Sequence, residues 1–302
     1  MTKWNLRSIG FLLALTGMVG CANPQNGAIN GATMNADGKI IGGTDATGQE
    51  DFTRSIVSLY DVAQGALCTG SILSDSIIVT AAHCVDGSKV SDLRIIYGTN
   101  LETRNIIVRA VDAYAISPLW ASRQNEEFNS GDIAIVHFNG GLPAGYKPAA
   151  LLTDVNQLKD GTPVLLAGYG ISDGVNKTGS GRLRYVDVAI KNAAYSKTEV
   201  LLDQTHGKGA CHGDSGGPAY VNVNGRLLLW GVTSRGVGDE NDDCSVGAAY
   251  TAIPFYIMWI SRTMKELNTP RPPAQPPARP QQPTPQPQPP AQPPAAPTAS
   301  RT

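Results

Sequence analysis

Between Ile40 and Phe255 the chain is a succession of short apolar runs, several of them β-branched, separated by Gly, Asn, Asp and Ser. The runs include Ser55-Ile56-Val57-Ser58-Leu59, Ser76-Ile77-Ile78-Val79-Thr80, Arg94-Ile95-Ile96-Tyr97, Ile106-Ile107-Val108, Ile133 to Phe138, Val164 to Ala167, Val186 to Ile190 and Leu227 to Val232. Branching at Cβ stiffens a side chain and suits a pleated surface, and the turn formers punctuate each run. This spacing predicts an all-β barrel or sandwich. The pattern changes over 253–267. Pro254 fits a first helical turn, and Ile257, Trp259, Ile260 and Met264 recur at helical spacing, so one helix is predicted to close the domain.

The two ends differ from this middle. Lys3 and Arg7 precede an apolar run from Ile9 to Val19, too short to span a bilayer and of the form of an export signal. The run ends at Met18-Val19-Gly20-Cys21, which resembles a bacterial lipobox and makes Cys21 the expected lipidated residue. Five Cys leave one over after pairing, and Cys21 has that separate use; Cys68, Cys84, Cys211 and Cys244 remain for two disulfides in an oxidising compartment. Signal and lipobox occupy 1–21. Residues 22–39 are small and polar and read as a propeptide. The tail, 269–302, holds 14 of the 21 prolines after residue 269 and reads as a solvated, polyproline-like spacer reaching on the order of 100 Å. Nothing in a formal charge of -1 without any basic run suggests nucleic acid, and no such partner is expected.

Three segments carry chemistry: Thr80-Ala81-Ala82-His83-Cys84, Gly131-Asp132-Ile133, and Gly213-Asp214-Ser215-Gly216-Gly217. Acyl transfer from an amide needs a nucleophile, a base to take its proton and a group that fixes the base's tautomer. Ser215, His83 and Asp132 fit those roles, and the backbone N–H groups of Gly213 and Ser215 can form an oxyanion hole. Gly213-x-Ser215-x-Gly217 also fits a nucleophile elbow, but that arrangement needs its His after the Ser. All four His, at 83, 137, 206 and 212, precede Ser215.

With these flanks and this order, residues 40 to 267 resemble the trypsin/chymotrypsin family of serine proteases. Ile40-Ile41-Gly42-Gly43 resembles that family's mature N-terminus, Cys68-Thr69-Gly70-Ser71 through Cys84 its first disulfide-bounded hairpin, and Gly168-Tyr169-Gly170 a recurrent step. The resemblance implies two six-stranded antiparallel β-barrels with a C-terminal helix in a peptidase domain at 40–268. It implies disulfides Cys68–Cys84 and Cys211–Cys244, the first stabilising by roughly 3 kcal/mol. It also implies a zymogen cleaved after Lys39, whose freed Ile40 amine would pair with Asp214. That cleavage would release the enzyme from a Cys21 lipid anchor.

In the same reading, Gly209, Ala210, His212, Ser234, Arg235 and Gly236 form the specificity pocket. Gly209 stands where trypsin has a floor Asp, which favours small or apolar side chains before the scissile bond. Arg235 stands in place of the usual wall Trp. The loop Gly238-Asp239-Glu240-Asn241-Asp242-Asp243-Cys244 is acidic, either a solvated turn or a relocated site for Lys and Arg. An uncharged pocket would leave cleavage at Lys39 to another protease. His137 and His206 read as surface or packing residues. No metal or cofactor is expected, and the expected partners are protein or peptide substrates and an activating protease. The expected form is an exported monomer of a bacterial envelope or its surroundings, touching membrane only through the anchor. Two other readings are an idle scaffold of the same fold that binds partners and an envelope adhesin.

Overall fold

The computed structural model of the chain describes residues 40–123, 128–238 and 240–269. Cys21, Lys39, the lipobox, the propeptide and residues 270–302 of the tail lie outside them. Six strands, β2 (Ile56–Asp61), β3 (Ala66–Ser74), β4 (Ile77–Thr80), β5 (Leu93–Tyr97), β6 (Ile107–Ile116) and β7 (Ala134–Phe138), close a first antiparallel barrel in the order β2-β3-β4-β7-β6-β5. A second set comprises β8 (Pro163–Gly168), β9 (Arg184–Asn192), β10 (Glu199–Asp203), β11 (Pro218–Val223), β12 (Arg226–Gly236) and β13 (Gly247–Ala252). Its order is β9-β10-β13-β12-β11-β8, and pairing of β8 with β9 closes it; the two-residue strand β1 (Thr44–Asp45) is appended to β9.

Side-chain alternation is plain on β5 of the first barrel. Along β5, Leu93, Ile95 and Tyr97 are buried while Arg94 and Ile96 are not, the period of two that a half-covered strand imposes. The first core gathers Val57, Leu59, Ile72, Ile78, Val136 and Phe138; the second gathers Leu166, Ile190, Leu202, Trp230 and Tyr250. Each such side chain contributes about 1.5–3 kcal/mol on burial. A third cluster fills the junction with Ile77, Ile133, Ile135, Tyr169, Tyr220 and Ile260.

The strand runs legible in the sequence fall on β2, β4 to β9 and β12. The closing helix begins later than the periodicity suggests. Ile253–Tyr256 forms a tighter 3-10 turn around Pro254, and the α-helix α2 spans Ile257–Asn268. A short helix, α1 (Pro118–Arg123), was not anticipated.

Candidate active site

The first barrel delivers the imidazole and the carboxylate. His83 lies in the 3-10 turn Ala82–Cys84 that follows β4, and Asp132 lies just before β7. Because β4 and β7 are neighbours, the two residues meet: His83 Nδ1 is 2.8 Å from Asp132 Oδ2, and the His83 backbone N–H donates to Oδ1 at 3.0 Å. Asp132 is 2% exposed. Ser234 Oγ donates to its Oδ2 at 2.7 Å, and Thr251 Oγ1 donates to its carbonyl at 2.9 Å. Burial alone would lower the proton affinity of His83, but the hydrogen bond and charge of Asp132 outweigh it and raise the pKa above the ordinary value. On the outer side, the Trp120 ring of α1 lies 6.4 Å from the imidazole, held by an indole N–H bond of 2.9 Å to Asp86.

The second barrel brings Ser215 to the same junction. The Thr69 N–H donates to the Ser215 carbonyl at 2.8 Å, so the Ser215 peptide docks on the disulfide-bounded hairpin that leads to His83. Gly216 follows with φ +79°, and a Cβ there would lie 2.0 Å from Thr80 Oγ1, so only glycine permits this approach. Among the described residues the ring's hydrogen-bond partner is Asp132, not Ser215; in unliganded sites the nucleophile–base bond is often formed only with substrate present. The N–H groups of Cys211, Asp214, Gly216 and Gly217 all donate within the protein. Those of Gly213 and Ser215 have no such acceptor among the described residues, which leaves both able to serve an oxyanion.

Asp214 is buried behind this loop. Gly170 N–H donates to Oδ1 at 2.8 Å and Cys211 N–H to Oδ2 at 2.9 Å. The carboxylate presses so closely on Gly168 and Gly170 that Cβ atoms would come within 2.2 Å and 2.5 Å of it, which accounts for the Gly168-Tyr169-Gly170 step. Burial pushes its pKa up to about 7, against the backbone donors and the charge of Arg184. Ile40 is fully buried in the second core beside Ala210, and Ile41 pairs with Gly209 and packs on the Cys211–Cys244 disulfide.

Both disulfides are present, with Cα atoms 6.2 Å apart for Cys68–Cys84 and 5.5 Å for Cys211–Cys244. Next to Ser215 opens a cavity of about 250 Å³. Ala210, His212, Ser234, Arg235 and Gly236 line it, as the sequence suggests. Gly209 does not. The Gln204 side chain fills the place a Cβ on Gly209 would take, at 2.3 Å, and itself reaches the cavity. Its amide donates to the carbonyls of Ala210 and Cys244 at 3.1 and 2.8 Å and accepts from Ala210 N–H at 2.8 Å, so the floor is neutral and its polar atoms are occupied. The acidic loop reaches the cavity through Asp242, an exposed residue. Its carboxylate meets Lys177 at 2.9 Å and His212 at 3.0 Å, and the Lys177 bond holds it below the usual carboxylate range. His137 and His206 pair with Asp112 and Asp203, away from the cavity.

Sequence reasoning missed Trp120, Glu199, Gln204 and Thr251. Each lies in a segment without a motif and contributes through contacts made only on folding.

Residues 40–260 match the family model described as Trypsin. The chain is 29% identical over 242 residues to Brachyurin of Leptuca pugilator, covering 73% of this chain and 96% of that protein. It is 28% identical over 253 residues to Trypsin epsilon of Drosophila erecta, covering 79% and 92%, and 30% identical over 217 residues to Trypsin alpha of the same fly, covering 67% and 79%. These relatives are animal proteins. No helix among the described residues is long and apolar enough to cross a membrane. A pair of closed barrels, an imidazole backed by a buried carboxylate and a serine docked at their junction agree with the match: the chain belongs to the trypsin family of serine proteases.

Proposed function

We propose that the chain is a serine endopeptidase that hydrolyses peptide bonds through an acyl-enzyme, with Ser215 as nucleophile, His83 as base and Asp132 as the group that orients and balances the imidazole. In this reaction Ser215 Oγ attacks the scissile carbonyl while His83 Nε2 takes its proton. The oxyanion is met by the Gly213 and Ser215 N–H groups, and the leaving amine receives the proton from His83. Water then repeats the sequence to release the acid. The observation that carries this reading is the Asp132 carboxylate, buried and bonded to His83 Nδ1 at 2.8 Å.

The pocket accepts small or apolar side chains before the scissile bond. Gln204 has its polar atoms engaged, and Asp242 is already paired with Lys177 and His212. Activation proceeds by cleavage after Lys39, and a pocket floor without an acid assigns that cut to another protease. Burial of Ile40, and the packing of its partly buried neighbour Ile41 on the Cys211–Cys244 disulfide, support insertion of the freed amine. The signal at 1–21, the Cys21 anchor, a bacterial origin and the propeptide at 22–39 rest on the sequence alone.

The test is covalent labelling by a fluorophosphonate after removal of residues 1–39, followed by a peptide-library cleavage profile. Labelling at Ser215, lost in Ser215→Ala, with cleavage after small or apolar residues is the expected result. An unlabelled protein would be an idle scaffold or an adhesin, and cleavage after Lys or Arg would overturn the pocket assignment.

A further inference from the structure

Behind Asp132 a chain of polar contacts crosses between the barrels. Ser234, which bonds the Asp132 carboxylate, is followed on β12 by Arg235. The Arg235 guanidinium clasps Glu199 with both fingers, Nη1 to Oε1 at 2.8 Å and Nη2 to Oε2 at 3.2 Å. Glu199 opens β10, and its side chain is fully buried. The same carboxylate accepts from Asn129 N–H at 2.8 Å, Ser130 N–H at 3.3 Å and Ser130 Oγ at 3.0 Å, in the loop that ends in Asp132. Ser196 Oγ adds a bond of 3.2 Å. Glu199 thus fixes the loop that carries the acid and, through Arg235, the strand that carries the acid's Ser234 partner.

A buried ion pair is a poor stabiliser, often no better than well-packed apolar residues of the same volume. Both members of this one stand on the second barrel, and Glu199 also grips the first-barrel loop that ends in Asp132. We infer that Glu199 and Arg235 are positioning residues for Asp132, setting its place and charge environment and thereby the proton affinity of His83; this rests on the triad reading above. The sign of each charge matters. The Arg235 charge disfavours an imidazolium on His83, whereas Glu199 offsets that field. Other titratable groups facing the assembly are Tyr195 beside Arg235, Tyr256 near Asp132 and Glu199, Arg123 acting on Tyr256, and Asp86, which holds Trp120 against the imidazole. All of these are unchanged in the variants below.

The experiment measures the rate of fluorophosphonate inactivation against pH for the activated enzyme and its variants, with thermal melting of each. Glu199→Gln leaves the Arg235 charge uncompensated and should lower the acid-limb midpoint, on the order of half a unit. Arg235→Met should raise it, and the double variant should return towards the native midpoint. In each the plateau rate should fall roughly ten- to hundredfold through misplacement of Asp132. Midpoints in both single variants that coincide with native, with only melting changed, would reduce the pair to a structural role and overturn the inference. Should Glu199→Gln not fold, Arg235→Lys decides. It keeps the charge but loses the fork, so a native midpoint with a plateau lowered several-fold is expected, and an unchanged plateau refutes. A native enzyme that is not labelled at Ser215 fails the triad reading instead.

Discussion

Asp214 makes the uncleaved chain sensitive to pH in a direction opposite to that of most paired carboxylates. Among the described residues its close donors are the Gly170 and Cys211 N–H groups, and Arg184 acts on it at a distance. Burial therefore raises its pKa from 3.8 to about 7. A carboxyl whose folded value is raised binds its proton more tightly when folded. The stability it contributes is complete below the unfolded value and is lost as pH rises to the folded one. At about 1.4 kcal/mol per unit, this shift costs the uncleaved chain about 4 kcal/mol between pH 4 and pH 7. The measurement is denaturant unfolding of the Ser215→Ala chain at several pH values, compared with the same chain carrying Asp214→Asn. Asn turns one N–H toward a backbone donor and lowers stability by about 1–3 kcal/mol at every pH. The offset is therefore uninformative and the slope is the readout. The difference between the two chains should close or invert as pH rises across the window. After cleavage at Lys39–Ile40, the freed amine should hold the carboxylate ionised and remove the slope. Parallel stability curves for the two uncleaved chains would refute the reasoning.

Four further outcomes follow from the same geometry. Gly170→Ala places a Cβ 2.5 Å from Asp214 Cγ, so it should destabilise the domain by roughly 1–3 kcal/mol and disorder the oxyanion loop, read as lost fluorophosphonate labelling despite an intact triad. Replacing Cys68 and Cys84 together by Ser should lower unfolding free energy by about 3 kcal/mol, with a matching fall in Tm, because the bond closes a loop of separation 16. Since Asp132 raises the pKa of His83 and only the neutral ring accepts a proton, kcat/KM should fall with decreasing pH around a midpoint above 6.5. Ser234→Ala, which removes a donor to Asp132, should leave His83 more basic and shift that midpoint upward.

The division between what the chain announces and what folding adds is visible residue by residue. Strand runs such as Arg94-Ile95-Ile96-Tyr97 were legible because inward and outward positions alternate along a single segment. β13, Gly247–Ala252, was not, because its Gly and Ala side chains carry little apolar signal and its burial comes from the neighbouring strands. The helix boundary near Pro254 shifted for a local reason that periodicity does not register, the tighter turn preceding α2.

From sequence alone an all-β class could be read, and the family resemblance added two barrels, both disulfides and the roles proposed for His83, Asp132 and Ser215. Those three residues sit in short flanking patterns, and chain order removed the competing elbow. Only tertiary structure decided that Gly209 does not line the cavity beside Ser215 and that Gln204 does. It also decided that Asp242 is already paired and that Glu199 grips the loop of Asp132. Those contacts join residues far apart in sequence, 69 positions for Ser130 and Glu199 and 40 for Gln204 and Cys244, and no local spacing encodes them. Covalent neighbours fix periodicity and turns; closing the barrels fixes which distant side chains share a burial site and must satisfy one another there.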